Sequence, residues 1–264
     1  MRSIAKIVCL SVLVLLGVGG YASLDKRKED CAENGALATA LAPKFAPEYY
    51  IEQGVKYFQT MQSDVPIWVQ PNYSQLAIRW EWEPWLLLTG YKKNMVLVTD
   101  PMLKLTPTSY DKLDCRFFAV QPFCRCHVVF NYSGMTCPIY EEFTFNDAGE
   151  ITFIEAWSDF PSLLPMGPGA DSIWDESDYW ALNDANRLAT KLPGLGSATG
   201  KIAIGTTCMD ELAERDTDVA ELLKRLNRPA FFWFKQLFTH FKELENGCYA
   251  PAGEVYPYYE PAGK

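Results

Sequence analysis

The stretch from Cys124 to Phe160, CRCHVVFNYSGMTCPIYEEFTFNDAGEITFIEAWSDF, decides the fold. It holds three strand-like runs joined by two short turn signals. Arg125 to Tyr132 is β-branched and aromatic at its centre, as strands prefer. Ser133-Gly134 breaks that run. Pro138 lacks a backbone donor and suits a strand start, so the second run is expected over Ile139 to Asn146. Asn146-Asp147-Ala148-Gly149 signals a tight turn, because Asn and Asp fold back on their own backbone and Gly allows positive φ. Glu150 to Asp159 then continues as the partner strand. A period of two puts Ile151, Phe153, Glu155, Trp157 and Asp159 on one face, with Thr152, Ile154, Ala156 and Ser158 on the other. The first face mixes large apolar groups with two carboxylates. Two readings fit it: an outer face with solvated acids, which is where charged residues mostly lie, or the wall of an apolar pocket that holds them.

Residues 141 to 159, EEFTFNDAGEITFIEAWSD, resemble the terminal hairpin of the SnoaL-like group in the nuclear transport factor 2-like superfamily. The pattern is a hydrophobic strand, an Asp-Gly-type turn and an alternating strand that ends in an acid. Here one residue is inserted, giving Asp147-Ala148-Gly149. The resemblance covers roughly residues 46 to 165. It implies an α+β fold in which N-terminal helices pack across a curved antiparallel sheet, a cone-shaped barrel with a deep apolar pocket. Superfamily members that are enzymes cyclise, isomerise or dehydrate small ring-containing or ketone substrates without a cofactor. One acid or His moves a proton, and Tyr, Asp or Trp groups hold the developing enolate. Other members only bind a small molecule or a partner. Carried onto this chain, the acid is Asp159 or Glu155, His127 assists, and Tyr91 or Tyr140 supplies the donor.

The segment Tyr73 to Tyr91 adds a second aromatic mass. Trp80, Trp82 and Trp85 stand beside Leu86 to Leu88, with Arg79, Glu81 and Glu83 among them. Such a cluster is a core wedge or a pocket lining, and each indole brings one donor that needs a partner. A carboxylate desolvated among tryptophans would suit general acid–base work, which nominates Glu83. Together with Trp157, the binding candidates are Trp80, Trp82, Trp85, Tyr91 and Tyr140. His127 and His240 are the only histidines. A single His on a strand is more often a structural hydrogen-bonding group than a catalyst.

The chain's ends read differently. Residues 1–22 form a targeting segment, with Arg2 and Lys6 before the short apolar run Ile7 to Val18 and small residues at Gly20 and Ala22. Export to the periplasm or outside is expected, with an uncleaved membrane anchor as the alternative. The apolar run is short for a span. Residues 23–46 are a lead-in. Pro47, Tyr49, Tyr50, Ile51, Val55, Tyr57, Phe58 and Met61 recur at helical spacing, so a helix over 47–63 starts at a proline. Arg116 to Val120 reads as a further strand. Residues 47–165 thus form the barrel domain and 166–264 a mostly helical extension. Within the extension, Asp171 to Ala185 reads as a short acidic helix and Asp210 to Leu226 as one amphipathic helix. Residues 229–241 read as a helix apolar nearly all round, to be buried against the sheet domain, a second copy of the chain or a membrane surface. Its few basic residues argue for burial.

The net charge of −9 opposes nucleic-acid binding, which rests on Lys and Arg against phosphate. No Gly-x-Ser-x-Gly elbow is present, and no dinucleotide fingerprint follows a strand. Two histidines argue against a His-rich metal centre. Of the eight cysteines, Cys115, Cys124, Cys126 and Cys137 cluster, but their spacing is poor for structural zinc. Disulfides between neighbouring strands are favoured over metal, for example Cys115 or Cys124 with Cys137. The reading is therefore an α+β protein with a pocket for a small apolar molecule, used either for cofactor-free acid–base chemistry or for binding alone.

Overall fold

The computed structural model describes residues 42–62, 64–66, 68–82, 87–91, 93, 96–97, 108–132, 135–158, 188–192 and 207–227. The expected targeting segment, most of the lead-in, the acidic helix at 171–185 and the apolar helix at 229–241 lie outside them.

Helix α1 (Pro47–Gln59) opens the described fold, with proline at its first turn as expected. It buries Tyr50, Gly54, Tyr57 and Phe58, one stripe at 3.6-residue spacing. Six strands follow: β1 (Tyr73–Glu81), β2 (Leu87–Tyr91), β3 (Thr108–Phe117), β4 (Cys124–Tyr132), β5 (Met135–Phe145) and β6 (Ile151–Ser158). They form one curved, unclosed sheet in the order β2-β1-β6-β5-β4-β3. Every pairing is antiparallel except β1 with β6, which is parallel. Among the described residues three short helices come last: α2 (Leu188–Lys191), α3 (Thr207–Ala213) and α4 (Thr217–Leu226). The protein is thus a mixed α+β fold.

The hairpin β5–β6 turns where the sequence signals it. Asn146 Oδ1 accepts from the backbone of Ala148 and Glu150, and Gly149 takes φ of 75°. A side chain at Gly149 would also strike Tyr49 of α1, whose hydroxyl donates to the Gly149 carbonyl at 2.8 Å.

Several boundaries differ from expectation. β5 begins at Met135 and runs through Pro138, which pairs with Val129. Pro138 lies one residue past the last β5–β6 pair, Ile139 with Ser158, so the strand tolerates the missing donor there. β3 lies earlier than the expected run at Arg116 to Val120. It carries Asp111, Lys112, Asp114 and Arg116 as a sheet edge, and such charges hide a strand pattern while protecting the edge. The expected helix from Asp210 to Leu226 is two helices. Asp216 adopts extended backbone and caps α4, accepting from Asp218 N and Val219 N, so α3 stops before it.

The sheet has a core on each face. Under α1, Tyr50, Tyr57, Phe58 and Met61 pack on Cys124, Cys126, Val128, Phe130, Phe143, Phe145 and Ile154. Each fully buried aromatic there contributes on the order of 1.5–3 kcal/mol by leaving water. On the other face Ile78, Trp80 and Phe153 pack against Leu188, Leu192, Met209, Val219 and Leu222 of the C-terminal helices. Ile151 joins the first core although strict alternation assigns it to the second. The β5–β6 register shifts between Thr144 and Phe145, so Thr152 is skipped and the strand changes face.

Candidate functional site

The face opposite α1 gathers chemistry that alternation along the strands puts in two rows. In the first, Arg116, Arg125, Glu142, Glu155 and Trp80 follow one another across β3, β4, β5, β6 and β1. In the second, Asp114, His127, Tyr140 and Trp157 stand in register.

Apart from Arg116, whose side chain is exposed at the sheet edge, the first row is buried. Arg125 is wholly buried and Glu142 is 1% exposed. Arg125 Nε donates to Glu142 Oε1 at 2.7 Å, and its second guanidinium nitrogen forms an ion pair with the same oxygen. The guanidinium also lies 5.6 Å from the Phe118 ring and 5.5 Å from the Trp157 ring. Aromatic faces on a desolvated cation add to its retention. Glu155, 2% exposed, accepts at Oε1 from Trp82 Nε1 at 2.7 Å and from Leu188 N at 2.9 Å. It therefore ties the start of α2 to the sheet. Trp80 meets Trp82 edge to face at 6.0 Å, and Arg225 of α4 lies 5.4 Å above the Trp80 ring.

The second row is aromatic. The His127 and Tyr140 rings are 4.4 Å apart, and Tyr140 stacks on Trp157 at 5.9 Å. Tyr140 and Trp157 are buried, while His127 is half-buried. The indole nitrogens of Trp80 and Trp157 are buried and have no hydrogen-bond partner among the described residues. Each is a donor that a polar atom of a ligand could satisfy.

Of the residues nominated from sequence, Glu155, His127, Trp80, Trp82, Tyr140 and Trp157 share this face. Tyr91 ends β2 opposite Ile78. Asp159, Glu83 and Trp85 lie outside the described residues. The face is the one away from α1. The α1 side is filled by aromatic side chains. Glu142 and Glu155 are buried on this face, whereas Asp114 at the sheet edge is exposed. Sequence reasoning missed the Arg125–Glu142 pair. The signal was there, since Arg125 and His127 share a face and Glu142 and Tyr140 share the one that meets it.

A second chemical cluster lies under α1. Cys115 and Cys126 are direct cross-strand partners and form a disulfide, with Cα atoms 4.0 Å apart. This corrects the expected pairing of Cys115 or Cys124 with Cys137. Cys137 stands opposite Phe130 on β5, four strand positions away from Cys126's own partner, Glu141. Cys124 is a free, buried thiol whose sulfur lies 3.8 Å from that of Cys126. Burial, and secondarily the Glu142 charge, hold its pKa well above the ordinary thiol value.

Comparison of the chain with protein-family models and with curated proteins finds no match. The functional reading therefore rests on the geometry and on the local resemblance of the hairpin.

Proposed function

We propose that this chain is an exported SnoaL-like module that binds a small, flat, apolar molecule against the row His127, Tyr140 and Trp157, without transforming it. One observation carries the choice of binding over catalysis. Glu155, the described acid best suited to move a proton, has one oxygen occupied by Trp82 Nε1 and Leu188 N. Both donors are protein groups, and together they fix the orientation of the carboxylate as an acceptor. Glu142 is similarly held by Arg125. What remains is a strip of stacked rings with a half-buried imidazole at one end and an indole donor at the other. Tyr140 and Trp157 are buried, so a ligand enters the strip from the half-buried His127 end, and the few polar groups orient it. A helix crossing a curved, mostly antiparallel sheet that ends in the 141–159 hairpin supports the superfamily reading and its cone-shaped variant. The cross-strand disulfide suits an oxidising compartment, which supports export.

A second reading, cofactor-free isomerisation or cyclisation, is favoured by the contact of His127 with Tyr140, two groups able to pass a proton. Titration calorimetry of the mature chain with a panel of planar cyclic ketones separates the readings. Under the binding proposal, His127→Ala and Tyr140→Leu weaken affinity about tenfold or more, roughly 1.4 kcal/mol, and recovered ligand is unchanged. Unaltered affinity in both variants overturns the proposed site. Product formation that disappears in His127→Ala establishes the enzyme reading instead.

A further inference from the structure

The three sulfurs under α1 form a site of their own. The Sγ atoms of Cys115, Cys124 and Cys126 all lie within 4.8 Å of one another. Cys124 and Cys126 point to the same side of β4, two residues apart, and Cys115 stands opposite Cys126 on the edge strand β3. Helix α1 presents Gly54 to them. A Cβ at that position would lie 2.8 Å from the Cys126 sulfur, 2.9 Å from that of Cys124 and 3.5 Å from that of Cys115. Glycine thus lets α1 lie directly against the sulfur triangle, where the methyl of any other residue would collide with two of the sulfurs. Cys115 is only half-buried, so the triangle has one side toward solvent at the sheet edge.

We propose that, when the Cys115–Cys126 disulfide is reduced, Cys115, Cys124 and Cys126 bind one Cu(I) ion. Soft thiolates select soft cations of this class, and Cu(I) needs no fourth ligand here. Three sulfurs at a metal–sulfur distance of roughly 2.3 Å lie about 4 Å from one another. The Cys124–Cys126 separation of 3.8 Å already matches. Only the bonded pair has to open, and that is what reduction does. A dithiol gives two electrons and two protons to the Cys115–Cys126 bond and leaves as its own cyclic disulfide. Cu(I) then replaces the three thiol protons, which pass to solvent, and three copper–sulfur bonds form with no change in the oxidation state of copper. Disulfide and metal use the same sulfurs, so oxidation and copper occupancy exclude each other.

The test is an anaerobic Cu(I) titration of the full chain against a chromophoric chelator, after reduction and removal of the dithiol. Reduced protein is expected to take up one Cu(I) at least tenfold more tightly than Cys124→Ser. That variant keeps the Cys115–Cys126 bond and so keeps the oxidised fold. X-ray absorption should count three sulfur neighbours. Gly54→Ala removes no ligand, yet should weaken uptake, because its methyl collides with the Cys126 and Cys124 sulfurs and displaces them. Equal uptake by reduced wild type and Cys124→Ser overturns the proposal, because copper then resides on other cysteines. So does loss of the far-ultraviolet circular dichroism signal on reduction, because the site needs α1 in place.

Discussion

Arg125 sits fully buried between two rings, and its charge is met by a carboxylate that is itself 1% exposed. Taking both charges out of water is costly, and their attraction offsets that cost only while both are present. The consequence is asymmetric. Arg125→Met leaves the Glu142 charge buried and is expected to cost about 3–5 kcal/mol in urea unfolding. Adding Glu142→Leu to Arg125→Met removes the stranded charge and should recover most of that loss. A double variant as unstable as the single one would mean that packing around Phe118 and Trp157, not the charge pair, sets the cost. Glu155 plays a related part with two neutral donors. The resemblance nominated it, with Asp159, as the acid near the end of the last strand, on the face it shares with Phe153 and Trp157. Alternation says which face a residue is on, but not which group from a distant segment will reach it. Leu188 N comes from 33 residues further on.

The elements depend on their ends. α4 begins at Asp216, whose carboxylate accepts two backbone N–H groups of its first turn and meets Lys191 of α2. Burial tends to raise the Asp216 pKa, but the Lys191 hydrogen bond and charge and the backbone bonds from Val219 and Asp218 bring it below its usual value. Burial tends to lower the Lys191 pKa, and the bonds and charges of Asp218 and Asp216 outweigh that and raise it. A lowered acid contributes stability above its unfolded pKa and loses it as pH falls through the folded value. A raised base contributes below its unfolded pKa and loses it as pH climbs past the folded one. The α2–α4 contact is therefore expected to hold across neutral pH, to weaken below about pH 4 and to weaken again above about pH 10. Asp216→Asn keeps a good cap but removes the charge, so it should flatten the acid limb in unfolding curves taken from pH 7 to pH 3. A wild-type acid limb that survives unchanged in Asp216→Asn would place its origin elsewhere. The cap was also the feature that the sequence reading of one continuous amphipathic helix passed over. Apolar spacing ran through the break because α3 and α4 cover the same face of the sheet.

At the scale of the whole molecule, the C-terminal segment is part of the sheet's packing. Leu188, Leu192, Met209, Val219 and Leu222 bury Ile78, Trp80 and Phe153, and the Glu155 bond to Leu188 N crosses the same boundary. A chain ended after residue 165 would expose those aromatic groups and remove one of the two donors on Glu155. It is expected to bind an apolar dye strongly and to precipitate, while the full chain does neither. A truncated chain that stays soluble and unfolds at the same urea concentration as the full chain would show that the second core contributes nothing.

Local chemistry alone determined a good part of this protein. The proline-started aromatic helix, the Asn146–Gly149 turn and the strands on either side of it follow from spacing, backbone preference and side-chain hydrogen bonds within a few residues. The gathering of His127, Tyr140, Trp157, Glu155 and the tryptophans on one face also follows from a period of two, once neighbouring strands are in register. Only the tertiary structure decided which partners those groups meet. Glu142 and Glu155 are spent on Arg125, Trp82 and Leu188, and Cys115 chooses Cys126 rather than Cys137. Register, a one-residue shift at Thr152 and the return of a segment thirty residues downstream set those partners. They are relations between distant parts of the chain, and no window of sequence contains both ends.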